Sequence, residues 1–177
     1  GLKAAIEYTP TQGARGFGSG LGILHFEQGT GTPLRFQPLV SSDNTNRGVS
    51  WLRDSHDLVF TRTGDPDRYY VPRSRIHTIK LDGTGGAEIP GNGPWFYLGR
   101  TEVDRMGDNI LIEYNNLSWT TLYRVPRAGG AATPVVAGSA DLSSFHFTPD
   151  RRRAACIRQS FTEPPEVALV DMTAGRV

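Results

Sequence analysis

The chain has 177 residues, of which 37% are hydrophobic and 10% aromatic, and its 19 Lys and Arg residues against 18 Asp and Glu residues leave a formal net charge of +1. This size suits one domain of ordinary length with a hydrophobic core. Because the chain is nearly neutral, its bulk charge excludes recruitment of nucleic acid or of an anionic membrane surface.

Glycine and proline are frequent, with 21 and 12 copies, which is typical of many short strands joined by turns. The single cysteine, Cys156, excludes an intramolecular disulfide and fits a cytoplasm as well as a periplasm, so localisation stays open between these two. Neither an apolar run of eighteen residues nor the h-region of a signal peptide is visible. The sequence therefore predicts no membrane partner.

In chain order, the first predicted strands are Lys3 to Tyr8 and two more within Leu21 to Phe36. Between them, Gly16 to Gly22 reads Gly-Phe-Gly-Ser-Gly-Leu-Gly. This spacing matches neither the Gly-x-Ser-x-Gly elbow of a hydrolase nor the Gly-x-Gly-x-x-Gly loop that binds dinucleotides. The segment is predicted to be a flexible Gly-Ser loop.

Two sequence elements then recur with nearly the same period. A strand, a polar turn and a second strand occur at Trp51 to Arg62, Val103 to Tyr114 and Phe147 to Arg158, with spacings of 52 and 44 residues. Downstream of each lies a β-rich run with a glycine turn, and Gly86, Gly130 and Gly175 are 44 and 45 residues apart. Such a unit contains about four short strands, the size of one β-propeller blade.

The predicted fold is therefore all-β, a β-propeller fragment of three to four four-stranded blades that forms an open arc or part of a larger propeller. The blades are expected at approximately 1–40, 47–90, 97–137 and 143–177, with the last one incomplete. No catalytic domain is expected within the 177 residues.

The repeats also resemble a known family. The segments FTPDRRRAACIR (147–158), WLRDSHDLVFTR (51–62) and LYRVPRAGGAATPV (122–135) resemble the Ser-Pro-Asp-Gly (PD40) propeller repeats of TolB-like proteins and of the N-terminal propellers of prolyl oligopeptidase (S9) serine peptidases. The last blade, 147–177, resembles the dipeptidyl or acylaminoacyl peptidase type. The chain departs from the pattern in that only Thr148 to Arg151 keeps the Pro-Asp pair.

The resemblance implies a non-catalytic propeller that serves as scaffold and substrate gate of an S9-like serine peptidase acting on peptides, whose hydrolase domain would supply nucleophile, base and oxyanion hole. The alternative is a TolB-like protein-binding propeller without enzymatic activity. The partners implied are a hydrolase domain or the remaining blades of a larger protein, a peptide or protein ligand, and a second copy of the chain, which would cover the exposed ends of an open arc.

The sequence predicts no catalytic, cofactor-binding or metal-binding residues. Asp54-Ser55-His56 contains the three residue types of a triad, but consecutive turn residues point in different directions. The histidines in strand-like runs, His25, His77 and His146, have no Cys or His partner at metal-ligand spacing. Cys156 follows two alanines in an apolar strand and is predicted to be a small buried residue.

Aromatic residues on loops define a candidate contact face. In a propeller, loops that join the second to the third strand of a blade emerge on the same face as the loops between blades. This face gathers Tyr69, Tyr70, Trp95, Phe96, Trp119 and Phe161. Two interpretations stay open, a surface for a ligand and a set of side chains folded inward to cap the blades. Arg151 to Arg153 are predicted to form a solvated turn on the opposite face.

Overall fold

The computed structural model describes residues 2–9, 19–41, 45–52, 56–64, 74–90, 97–103, 107–115, 119–136 and 141–177, and of 97–103 it gives the backbone only. Within these ranges the regular structure is antiparallel β-sheet, and no helix is long and apolar enough to cross a membrane. The chain divides into two compact units, residues 1–89 and residues 90–177.

The first unit contains two sheets whose strands follow one another in chain order. Sheet A consists of β1 (Leu2–Tyr8), β2 (Gly20–Phe26) and β3 (Pro33–Val40). Sheet B consists of β4 (Thr45–Trp51), β5 (Asp57–Thr63), β6 (Ser74–Lys80) and β7 (Ala87–Glu88). This order, in which each strand pairs with its sequence neighbour, is the arrangement expected within a propeller blade.

The second unit repeats the arrangement. Sheet C consists of β8 (Tyr97–Val103), β9 (Asn109–Asn115), β10 (Thr120–Pro126) and β11 (Thr133–Pro134). Sheet D consists of β12 (Asp141–Phe147), β13 (Arg153–Gln159) and β14 (Glu166–Asp171).

Each unit has a core between its two sheets. In the first unit, Leu21 and Ile23 of β2 cluster with Leu58 and Phe60 of β5 and with Ile79 of β6. Side chains two residues apart on a strand share a face, so Leu58 and Phe60 reach sheet A together. Burial of each such side chain stabilises the fold by about 1.5–3 kcal/mol.

The core of the second unit follows the same rule. Leu111 and Leu122 of sheet C cluster with Phe145, Cys156 and Val170 of sheet D. All five side chains are at most 2% exposed. The prediction that Cys156 is a small buried residue is confirmed.

A β-bulge interrupts the first strand of sheets B and D. The register shifts between Arg47 and Ser50 in β4 and between Ser143 and His146 in β12. In each bulge one residue has a left-handed backbone, Gly48 with φ 63° and Ser144 with φ 57°. A bulge turns backbone N–H groups away from the ladder and leaves them available to other acceptors.

The all-β prediction is confirmed, and the recurring strand-turn-strand segments coincide with the β4–β5, β8–β9 and β12–β13 connections. One local prediction was wrong. Gly20 to Gly22 do not belong to a flexible loop but begin β2. The strand tolerates these glycines because the rings of Tyr8 and Phe36 lie over Gly20 and Gly22, in the space that a Cβ would occupy. Residues 16–18 lie outside the described ranges.

Candidate contact surface

Two of the six aromatic residues of the candidate contact face lie within the described ranges. Trp119, which is 40% exposed, directly precedes β10, and Phe161, which is fully exposed, lies between β13 and β14. Both positions connect the second to the third strand of their sheets. The other four predicted members, Tyr69, Tyr70, Trp95 and Phe96, lie outside the described ranges.

One carboxylate links the two aromatic loops. Oδ1 of Asp141, the first residue of β12, accepts a hydrogen bond of 2.6 Å from the backbone N–H of Thr120, the neighbour of Trp119. Its Oδ2 accepts one of 2.5 Å from Nε2 of Gln159, which ends β13 two residues before Phe161. Asp141 therefore holds Trp119 and Phe161 at the same end of the second unit.

The turn that carries Phe161 is closed by its own hydrogen bonds. The backbone N–H of Ser160 donates to the carbonyl of Glu163 over 3.2 Å, and the Ser160 hydroxyl accepts from the N–H groups of Thr162 and Glu163 over 3.3 and 3.1 Å. Arg158 pairs with Glu163 at 3.3 Å. A closed turn with an outward aromatic ring offers apolar contact area at a low cost in conformational entropy.

The first unit has a polar link at the corresponding end, built from different residue types. The N–H of Asn46, near the start of β4, donates to the Ser19 hydroxyl over 2.7 Å, and Nδ2 of Asn46 donates to the Ser19 carbonyl over 2.5 Å. Oδ1 of Asn46 accepts from Nε of Arg62, near the end of β5, over 3.0 Å. Ser19 thus serves as a structural hydrogen-bonding residue at the entrance to β2.

A second kind of link joins neighbouring sheets, and sequence reasoning missed it. Oε1 of Glu7 on β1 accepts from the N–H of Gly48 over 2.6 Å, and Oε1 of Glu113 on β9 accepts from the N–H of Phe145 over 2.9 Å. Both donor residues, Gly48 and Phe145, lie in the bulges described above. The available signal was the tripeptide Ile-Glu-Tyr, which occurs at 6–8 and again at 112–114.

Two histidines contact neighbouring side chains in the first unit. His77 of β6 stacks on Phe60 with ring centroids 5.6 Å apart. Burial and the positive charges of Arg62 and Arg75 lower the pKa of His77 to about 4. Nε2 of His25 lies 3.2 Å from Oε1 of Gln37. No group of three His, Cys, Asp or Glu side chains in the described part of the chain is arranged to hold a metal ion.

Of Asp54-Ser55-His56, only His56 lies within the described ranges. Arg151 and Arg152 lie in the β12–β13 connection, at the end of sheet D opposite Phe161, as predicted, whereas Arg153 already belongs to β13 and Arg151 is half-buried. The Arg151 guanidinium lies 5.7 Å from the centroid of the Phe147 ring, and Arg152 pairs loosely with Asp150 at 3.9 Å.

Burial raises the pKa of the Cys156 thiol, which lowers its reactivity.

No protein-family model and no curated protein sequence matches the chain, whereas solved structures do. A putative TolB from Agrobacterium tumefaciens gives a TM-score of 0.66 at 17% identity over 98% of this chain and 58% of its own. A puromycin hydrolase gives 0.65 at 16% identity over 89% of this chain and 25% of its own. A prolyl endopeptidase gives 0.59 at 15% identity over 89% and 22%.

At these identities the likeness establishes the fold. The chain spans about half the length of the TolB proteins and about a quarter of the hydrolase that it resembles. The resemblance that the repeats indicate is therefore confirmed as a likeness of fold. The four sheets are blades of a β-propeller of the kind found in TolB-like proteins and prolyl oligopeptidase-type peptidases.

Proposed function

We propose that the chain is the non-catalytic propeller of an S9-like serine peptidase, in which it serves as scaffold and gates the access of peptides to a hydrolase domain. The observation that carries this proposal is the pair of exposed aromatic residues, Trp119 and Phe161, which Asp141 holds at one end of neighbouring blades. The likeness to a puromycin hydrolase and a prolyl endopeptidase supports the peptidase context.

In this arrangement the bond-breaking chemistry belongs to the hydrolase domain, with its serine nucleophile, histidine base and oxyanion hole. The propeller selects which substrates arrive. Trp119 and Phe161 offer apolar surface to a peptide or to the hydrolase domain. Arg158, Glu163 and Glu166 border Phe161 with paired charges, and such a polar rim around an aromatic anchor is usual for protein contact surfaces.

The test uses the natural full-length protein and a series of peptide substrates of increasing length. Replacing Trp119 and Phe161 together by alanine is expected to change kcat/KM for long peptides relative to short ones by about tenfold, or about 1.4 kcal/mol. Thr173→Ala is the matched control, because Thr173 is exposed at the opposite end of sheet D. An unchanged length profile in the double variant would count against gating by this surface.

The second candidate is a TolB-like propeller that binds a protein and has no enzymatic activity. It is favoured by the agreement with TolB over 98% of the chain, against 89% for the peptidases. A fluorophosphonate probe for active serines distinguishes the two candidates. Labelling of the natural protein at a serine outside residues 1–177 supports the peptidase. Absence of labelling, with a protein ligand whose affinity depends on Trp119 and Phe161, supports the binding propeller.

A further inference from the structure

The guanidinium of Arg62 lies at the edge of the core between sheets A and B of the first unit. Arg62 and Phe60 share one face of β5, because side chains two residues apart on a strand point to the same side. Phe60 packs in the core, and its ring centroid lies 5.6 Å from the guanidinium carbon. Arg62 itself is half-buried, and burial lowers its pKa. The charge therefore sits where the apolar core meets solvent.

Asn46 fixes the direction of this guanidinium. Oδ1 of Asn46, a fully buried residue, accepts a hydrogen bond of 3.0 Å from Nε of Arg62. The bond uses one of the five N–H donors of a guanidinium, and among the described residues the other four have no acceptor. No buried side-chain nitrogen in the described ranges lacks a partner, so Nη1 and Nη2 reach solvent.

Within the described ranges no carboxylate neutralises Arg62. Glu7 on β1 binds a backbone N–H in the bulge of β4, and Glu88 on β7 pairs with Nε of Arg75 at 3.1 Å. Arg75 lies directly opposite Arg62 in the β5–β6 ladder, where like charges repel. The same positive charges act on His77, whose pKa is lowered first by burial and then by the two arginines. The site is thus electropositive.

Sheet D shows how the equivalent position is satisfied inside the protein. Gln159 lies opposite Asp141 in the ladder, as Arg62 lies opposite Asn46. In sheet D the charged member is Asp141, whose carboxylate accepts from two neighbouring donors. In sheet B the charged member is Arg62, and a neutral amide stands where a carboxylate would have neutralised it. Arg62 is therefore oriented but keeps its charge and its two terminal amino groups for another acceptor.

We infer that Arg62 binds a carboxylate group of a ligand at this end of the contact between sheets A and B, through Nη1 and Nη2. A guanidinium fork matches the two oxygens of a carboxylate. A phosphate fits less well, because it carries nearly two negative charges at neutral pH and Glu88, beside Arg75, would repel the second. The carboxylate has two sources, an acidic side chain of a peptide or protein and a free carboxylic acid. The inference is independent of Trp119 and Phe161.

The test measures the binding of small ligands to the natural full-length protein by ligand-observed NMR at constant ionic strength, which keeps the screening of charge the same. N-acetylglutamic acid α-amide carries one side-chain carboxylate, and N-acetylglutamine amide is its neutral match. The acidic ligand is expected to bind at least about tenfold more tightly, because its contact with the guanidinium is charge-assisted. Acetate distinguishes the sources. Equal affinity for acetate assigns the site to free acids, and much weaker affinity assigns it to acidic side chains.

Arg62→Gln is the decisive variant. It keeps a donor for Asn46, as Gln159 does for Asp141, and removes the charge, so the sheet should fold without the site. Affinity for the acidic ligand should fall at least about tenfold, and its preference over the neutral match should disappear. Arg35→Gln is the matched control, because Arg35 is exposed on β3 and pairs with the far end of β2. It should bind like the wild type.

The inference would be overturned by equal or absent binding of the two amides in the wild type, or by an Arg62→Gln protein that still prefers the acidic one. Tighter binding of inorganic phosphate than of acetate would overturn the assignment to a carboxylate. Arg62→Lys keeps the charge and loses the fork, so affinity for the acidic ligand should fall at least about threefold. This variant decides the question if Arg62→Gln does not fold.

Discussion

The side-chain carboxylate of Glu113 on β9 accepts a hydrogen bond of 2.9 Å from the backbone N–H of Phe145, in the bulge of the neighbouring sheet. The side chain of Phe145 is itself buried in the core between the two sheets. One contact thus satisfies a backbone group that the bulge leaves outside the ladder, and places a core residue.

Removal of the Glu113 carboxylate should destabilise the second unit. Glu113→Ala leaves the Phe145 N–H without this acceptor, and a charged hydrogen bond of this kind contributes about 1.5–3 kcal/mol. Glu113→Gln, which keeps an acceptor, should lose less. The free energy of unfolding in urea measures both, and Glu166→Ala, an exposed partner in an ion pair on β14, is the control. Equal losses for Glu113→Ala and Glu166→Ala would contradict the assigned role.

Substitution of Gly175 should cost more than substitution of Gly31, although both have a left-handed backbone, with φ 65° and 70°. A Cβ at Gly175 would meet the backbone carbonyl of Val135 at 2.6 Å, whereas one at Gly31 would meet open space. Gly31→Ala is expected to lose about 1 kcal/mol from the backbone conformation alone. Gly175→Ala should lose about 1–3 kcal/mol more from the clash. Thermal unfolding of Gly175→Ala and Gly31→Ala measures this difference in stability, which isolates the cost of the contact with the Val135 carbonyl.

The half-buried imidazole of His77 should make the free energy of unfolding fall in acid. Its pKa is lowered from 6.5 to about 4, so between these pH values the unfolded chain binds a proton that the folded chain does not. The contribution of His77 to the free energy of unfolding is therefore at its maximum above pH 6.5, and it declines as the pH falls towards 4. The shift corresponds to about 3 kcal/mol, which solvent screening of the half-buried ring reduces to about 1–2 kcal/mol.

The variant His77→Gln separates this titration from the loss of the ring contact with Phe60. At pH 8 the difference from the wild type reports the contact alone, since the imidazole is then neutral in both states. Urea unfolding at pH 8, 6 and 5 should show a shallower decline for the variant. Parallel curves for variant and wild type would rule His77 out as the source of the acid sensitivity.

Loss of the Asp141 carboxylate should loosen both aromatic loops at once. Asp141→Ala removes the acceptors of the Thr120 N–H and of Gln159 Nε2, so exchange of the Thr120 amide hydrogen should accelerate by at least about tenfold, or about 1.4 kcal/mol of local stability. Amide exchange followed by NMR is the measurement. Asp150→Ala, which alters the turn at the opposite end of sheet D, should leave the Thr120 amide unchanged.

The repeat could be predicted from the sequence because it depends on local patterns. The apolar segments Leu58 to Phe60 and Ile110 to Ile112 follow polar turns at a regular spacing, and they form β5 and β9. The links between sheets depend on residues far apart in the chain. Glu7 and Gly48 are 41 residues apart, and Asp141 acts through a backbone N–H 21 residues away. When a side chain binds a backbone group, the partner can be almost any residue type, so a single sequence contains no characteristic residue pair that would reveal the contact.

The placement of Trp119 and Phe161 on loops was also predictable, because each follows a predicted second strand. That one carboxylate joins these loops was not, since Asp141 begins β12, two strands after β10, which Trp119 directly precedes. The glycines of β2 were mistaken for a loop because glycine is rare in strands. Their strand conformation depends on rings supplied by β1 and β3, which composition alone does not reveal.

The polar links at the starts of β4 and β12 join equivalent places with different chemistry, an amide with a guanidinium in one case and a carboxylate with an amide in the other. In both, a side chain at the start of the first strand of one sheet binds backbone beside the start of a strand of the preceding sheet, β2 in the first unit and β10 in the second. A repeat built this way can exchange residue types while its blades stay in place. Gradual divergence of that kind is compatible with a propeller that agrees with its structural neighbours over 89–98% of its length at only 15–17% identity.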